Sequence, residues 1–136
     1  MLIAIIRNKM INNFLIINCI GKDDKLGLRI NKDFFVYNLK NKKIDNENLV
    51  NEISDFINNH NVIIDENFSV IVNQGPGSFS SSRISLSVAK GLKITKKVKL
   101  FGYRNNDLKV FDQQNIENLF HANLIEKKLI KPIYLS

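Results

Sequence analysis

Cysteine, proline and histidine are scarce in this chain, and tryptophan is missing. Of 136 residues, one is cysteine, two are proline, two are histidine and none is tryptophan. The lone Cys19 cannot close an intrachain disulfide. Leu15, Ile16, Ile17 and Ile20 surround it, which marks it as a small buried apolar residue and not a nucleophile. His60 and His121 lack partners at metal-ligand spacing, so both read as exposed and neither as catalytic or metal-bound. No stretch approaches the roughly 20 apolar residues that span a bilayer. The apolar start, Met1 to Ile6, is followed by Arg7 and Lys9, whereas a signal peptide carries its charge first. A soluble, cytoplasmic protein is expected.

Three catalytic signatures are absent too. No glycine turn ends in the Gly-Lys-Ser/Thr of a nucleotide-binding loop. Ser80 stands where a dinucleotide fingerprint needs its third glycine. The nucleophile pattern Gly-x-Ser-x-Gly does not occur around Ser78, Ser80, Ser81 and Ser82.

What is present is core-forming residue and positive charge. Hydrophobic residues make up 44%, enough for one domain with a real core. The net charge is +7, yet Ile, Lys and Asn together supply 56 residues, the mark of an AT-rich coding bias. The lysines gather at Lys40 to Lys43 and Lys90 to Lys99. The second group falls at a helix end, where cations suit the dipole. A solvated face and an RNA-facing patch both remain open. Aromatics are not interleaved with the lysines, so base stacking is not signalled.

Periodicity predicts the element order β-β-β-α-β-α-β. Asn13 to Ile20 reads as a buried strand, Leu26 to Ile30 as a half-buried one and Phe34 to Leu39 as a third. Asp45 predicts a helix cap, with Ile44 and Leu49 as a hydrophobic staple. Leu49, Ile53, Phe56 and Ile57 then share a helical face, which ends near Asn58 to Asn61. Phe68 to Val72 and Lys99 to Tyr103 read as strands, and Ser78 to Ile94 between them as a helix. Ile116 to Glu126 reads as a short helix, Arg104 to Asp107 as a loop and Pro132 to Leu135 as an extended tail.

The most specific string is Gly75-Pro76-Gly77-Ser78-Phe79-Ser80-Ser81-Ser82-Arg83-Ile84, with Ala89-Lys90-Gly91-Leu92 behind it. Gly75 and Gly77 can take positive φ, Pro76 biases Gly75 away from the α region, and Ser78 can cap the helix. The string resembles the Gly-Pro-Gly-Ser-Phe-Thr-Gly-Leu-Arg-Ile-Gly…Ala-Lys-Gly-Leu signature of the TsaB (YeaZ) family. Ser80, Ser81, Ser82 and Ser85 replace Thr, Gly, Leu and Gly. Pro132-Ile133-Tyr134-Leu135-Ser136 resembles the family's closing Pro-x-Tyr-Leu-Arg, with Ser136 for Arg. Asn18-Cys19-Ile20 stands where Asp-Thr-Ser is usual, and Asn46-Glu47-Asn48 where a His-Ser-Glu is usual.

The resemblance implies an actin-like (ribonuclease H-like, sugar-kinase-like) α/β subdomain over residues 13–104. Residues 105–136 would be the remnant of a largely missing second subdomain. Residues 1–12 would be an extension, with Met10 as an alternative start. It implies a noncatalytic subunit that pairs with the paralogous transferase TsaD, with the ATPase TsaE as third component. Together they place threonylcarbamoyl on adenosine 37 of tRNAs reading ANN codons. The subunit would touch tRNA only through the complex, need no cofactor or metal, avoid membranes and possess the surface for a homodimer. The two helices of the subdomain form the family's interface, which makes Leu49, Val50, Ile53, Ile57, Arg83, Leu86 and Lys90 the candidates, with core packing the competing reading of each apolar one. Gly75, Pro76, Gly77, Ser78 and Phe79 form the signature turn, which aims the second helix. Arg83 would clamp that turn or reach a partner's carboxylate. The alternative function is a degenerate actin-like protein with residual nucleotide binding or enzymatic activity; in related enzymes the Asp replaced by Asn18 faces phosphate and metal.

Overall fold

The computed structural model describes residues 13–40 and 44–134. Expectations about residues 1–12, Lys42, Lys43, Leu135 and Ser136 lie outside them.

The unbroken apolar run at the start of the chain becomes the central strand. β1 (Phe14–Asn18) pairs antiparallel with β2 (Lys25–Ile30), which pairs antiparallel with β3 (Asp33–Asn38). On its other side β1 runs parallel to β4 (Ser69–Asn73), and β4 parallel to β5 (Lys99–Tyr103). The sheet order is β3-β2-β1-β4-β5. A strand covered on both faces needs apolar residues at every position, not at alternate ones. Phe14, Leu15, Ile16 and Ile17 are fully buried for this reason.

Alternation along the strands feeds two cores. Leu15, Ile17, Val70, Val72 and Leu100 face one side. Two helices cover it: α1 (Asn46–Asn59) and α2 (Phe79–Lys96). Phe14, Ile16, Ile71, Phe101 and Tyr103 face the other side, under α3 (Gln113–His121). Arg29 of β2 and Glu117 of α3 form an ion pair that ties this helix to the sheet.

The caps follow the sequence at α1. Asp45 accepts a hydrogen bond from the Asn48 amide at 2.7 Å, and Ile44 and Leu49 lie buried in one cluster. Asn61 takes the left-handed conformation that ends the helical segment. α3 differs from its expected span. Asp112 accepts from the Asn115 amide at 2.8 Å and starts the helix three residues before Ile116. Asn123 turns left-handed and stops the chain short of Glu126, whose backbone instead bridges Gly102. A single 3-10 turn, Asn105–Asp107, occupies the expected loop.

Residue 104 is not a packing boundary. Ile116 and Leu119 belong to the second core and Ile130 to the first, so residues 105–134 contribute side chains to the cores on both faces of the same sheet. His60 also departs from its expected exposure. Its ring stacks on Phe35 at 4.0 Å and meets Phe56 edge-on, while His121 is exposed. No helix among the described residues is long and apolar enough to cross a membrane.

Candidate functional site

The signature turn joins β4 to α2, and its two glycines serve different purposes. Gly75 adopts φ +97° and precedes Pro76 through a cis peptide bond. Positive φ of that kind favours glycine. Gly77 does not share that conformation; it is required by proximity. A Cβ there would lie 2.5 Å from Cβ and 2.8 Å from the carbonyl oxygen of Ile20. The Ser78 amide donates to that same carbonyl at 2.6 Å. Ser78 Oγ accepts from the Ser81 amide at 3.5 Å, a long cap. The tail reaches the turn as well: the Ile133 amide donates to the Gln74 carbonyl, and Gln74 Nε2 donates to the Lys131 carbonyl. The turn is thus clamped between the end of β1 and residues 131–133, and α2 leaves it in a fixed direction.

Phe79 and Arg83 lie on the first turns of α2. Phe79 is 59% exposed and stacks on Tyr134 at 5.2 Å. The Arg83 guanidinium sits 5.0 Å over the Phe79 ring, so its visible contact is cation–π and not the expected clamp on the turn.

The seven interface candidates divide by burial. Leu49, Ile53, Ile57 and Leu86 are in the first core, with at most 6% exposure, and are spent on the chain's own packing. Their helical period records burial but not what does the burying. Val50, Arg83 and Lys90 are exposed. The outer side of α2 keeps apolar residues as well, with Ile94 78% exposed. Between α1 and α2 lies an open groove of about 360 Å³. Val50, Val88 and Leu92 line it with apolar side chains, and Ser54, Ser87 and Gly91 line it with small residues. Apart from its own helix backbone and chain neighbours, nothing among the described residues lies within 4 Å of where a Gly91 side chain would begin. Lysines 90, 93, 96, 97 and 99 are exposed around the far end of the helix, with Lys93 and Lys96 in its last turn.

A second feature was not legible in the sequence. At the carboxyl ends of the strands, four polar side chains form one network. The Gly75 amide donates to Asn73 Oδ1 at 2.8 Å. Asn73 Nδ2 donates to Asn18 Oδ1 at 2.6 Å and to Asn105 Oδ1 at 3.0 Å. Tyr103 Oη also donates to Asn18 Oδ1, at 3.0 Å. Burial pushes the Tyr103 phenol far above its ordinary value, so it stays a donor. Burial likewise raises the Cys19 thiol, helped by Asp24 and Glu52, and removes it as a nucleophile. Asn18 and Asn105 line a cleft of about 680 Å³, with Lys22, Lys25, Lys109 and Asp23 around it. No group of three or more His, Cys, Asp or Glu side chains among the described residues is placed to hold a metal ion.

Neither a protein-family model nor a curated protein sequence matches the chain. Solved structures do. YeaZ from Pseudomonas aeruginosa superposes with a TM-score of 0.62 at 16% identity, over 72% of this chain and 45% of that one. A crystal structure described as an uncharacterized protein with similarity to peptidase YeaZ, from the same organism, gives 0.62 and 16% over 72% of this chain and 44% of that one. The chain therefore has a YeaZ-like, actin-like α/β fold and spans less than half the length of these two structures.

Proposed function

We propose that this chain is a noncatalytic docking subunit of the TsaB type, which binds a TsaD-type transferase through the α1–α2 face. In that role it supports threonylcarbamoylation of adenosine 37 in tRNAs reading ANN codons, with a TsaE-type ATPase as third component and tRNA reached only through the complex. The observation that carries the reading is the open groove around Gly91. A glycine inside a helix costs about 1 kcal/mol relative to alanine. Here no neighbour among the described residues requires it. An approaching helix would require it, because a glycine floor lets two backbones come close. Val50 and Leu92 would then lose their water, and apolar burial of this kind drives association. The YeaZ-like fold and the Gly75 to Leu92 string support the same assignment.

Co-expression with the cognate TsaD-type protein, followed by affinity purification and size-exclusion chromatography, tests the reading. A stoichiometric complex is expected, together with loss of the modified adenosine from tRNA when the gene is deleted. Two separate peaks at micromolar concentration, with normal tRNA modification in the deletion strain, would overturn it.

A further inference from the structure

The two edges of the sheet are finished differently. At β5 a later segment of the chain covers the edge: the Gly102 amide donates to the Glu126 carbonyl at 2.9 Å, and the Glu126 amide to the Gly102 carbonyl at 2.8 Å. At β3 no strand among the described residues pairs on the outer side. The Leu39 amide donates to the Asp24 carbonyl at 3.0 Å, so residue 39 faces β2. Backbone groups alternate in direction along an antiparallel strand. Asp33, Phe35 and Tyr37 therefore also bond toward β2, while Phe34, Val36 and Asn38 turn their N–H and C=O groups outward. An open row of this kind is a template for a further strand. β3 carries none of the usual blunting devices: it has no proline, glycine or lysine, and Asp33 is its one charge.

The side chains beside this edge select what fits it. Phe35 and Tyr37 pack against the first core and Phe34 against the second, while Val36 is 47% exposed. A strand added here meets apolar neighbours on both faces, so it would be apolar at every position, as β1 is. Leu2-Ile3-Ala4-Ile5-Ile6 is such a run, uncharged and rich in β-branched residues. The connection is long enough. Asn13 Oδ1 accepts from the Asn31 amide at 2.8 Å, which holds the start of β1 beside the β2–β3 turn. From β1 past β2 and β3 to a sixth position is about 14 Å, at roughly 4.8 Å per strand. Residues 7–12 extend to about 20 Å. The run would lie antiparallel to β3, with Ile6 near Asp33 and Leu2 near Asn38. A segment joined this closely acts at an effective concentration of about millimolar. A second copy of the chain lacks that advantage, and two copies at +7 each repel.

We propose that residues 2–6 dock on the outer edge of β3 as an antiparallel sixth strand, which closes the sheet against pairing with other chains. No residue of β3 lines the groove between α1 and α2, so edge and groove are tested separately.

Hydrogen exchange of the full chain, followed residue by residue with NMR, is the test. The amides of Phe34, Val36 and Asn38 should be protected although β2 does not pair with them, and NOE contacts should join residues 2–6 to residues 34–38. Ile3→Asp with Ile5→Asp should speed exchange at these three amides at least about a hundredfold. The Phe35 and Tyr37 amides, which bond toward β2, should stay within about tenfold of the wild type. Protection of Ile16 and Ile71 in the central strands checks that the variant is folded, and the NOE contacts alone decide if it is not. Free exchange at the three amides in the wild type, protection untouched by the variant, or no contact between residues 2–6 and 34–38 would overturn the proposal. Protection that grows with protein concentration would place a second copy on the edge and overturn it too.

Discussion

The groove between α1 and α2 and the cleft at the strand ends are built by opposite means. The groove exists because side chains are withheld: Gly91, Ser54 and Ser87 leave space between Val50 and Leu92. The cleft exists because side chains are committed: Asn18, Asn73, Tyr103 and Asn105 hold one another at fixed hydrogen-bond polarity. An apolar groove gains by being covered, so it suits a macromolecular partner. The cleft rests on side chains whose hydrogen bonds are already made within the chain. The two also differ in how mutation reads out. Changing the groove should alter binding and spare the fold, whereas changing the hub beneath the cleft should alter the fold first.

The largest expected effect lies at that hub. Asn73→Leu removes three hydrogen bonds at a fully buried side chain, leaves the Gly75 amide and the Asn105 oxygen without these partners, and leaves the Asn18 oxygen with Tyr103. A loss of about 3 kcal/mol or more is expected, measured by urea unfolding. A loss below about 1 kcal/mol would mean that water replaces the network.

Next comes the turn. Gly77→Ala places a methyl 2.5 Å from Ile20 Cβ, and backbone must move to admit it. A destabilisation of about 1–3 kcal/mol is expected in the same assay. Wild-type stability would show that the turn is looser than its contacts imply.

Alkaline pH separates interior from surface without mutation. The Cys19 thiol and Tyr103 phenol are both held above their ordinary values by burial. The unfolded chain releases those protons first, from about the unperturbed thiol value of 9.0 upward. Stability from these groups is therefore complete below that pH. It falls as pH rises beyond it, by about 1.4 kcal/mol per pH unit for each group above its own unperturbed value, 9.0 for the thiol and 10.0 for the phenol. Urea midpoints at pH 8, 9.5 and 11 check the slope, and Cys19→Ala should remove its first part.

The smallest effect has the opposite sign. Gly91→Ala meets no neighbour and relieves a helical glycine, so a gain of about 0.5–1 kcal/mol is expected in melting experiments. A loss would mean that the position serves the chain's own packing after all.

The fold was legible because local rules governed it. The run Phe14 to Ile17 showed a strand buried on both faces, and Lys99–Tyr103 has the bounds its pattern predicts. Asp45 acts as the cap its position implies. The Asp112 cap carried the same signal, Asp before a helical run with Ile116 four residues on, and could have been read. The polar network could not. Asn18 and Asn73 are 55 residues apart, and only the parallel pairing of β1 with β4 brings them together. The interface candidates divide by burial for a specific reason. Period placed Leu49, Ile53, Ile57 and Leu86 on buried faces, but burial by the chain's own sheet looks identical in sequence to burial by a partner.

Gly91 supplies the most direct measurement of the docking account. Gly91→Phe fills the groove floor while leaving the described contacts of the chain in place. Titration of the TsaD-type partner into wild type and variant should show binding weakened about a hundredfold in the variant, at an unchanged or raised melting temperature. Equal affinity of the two folded proteins would place the interface elsewhere and contradict the account.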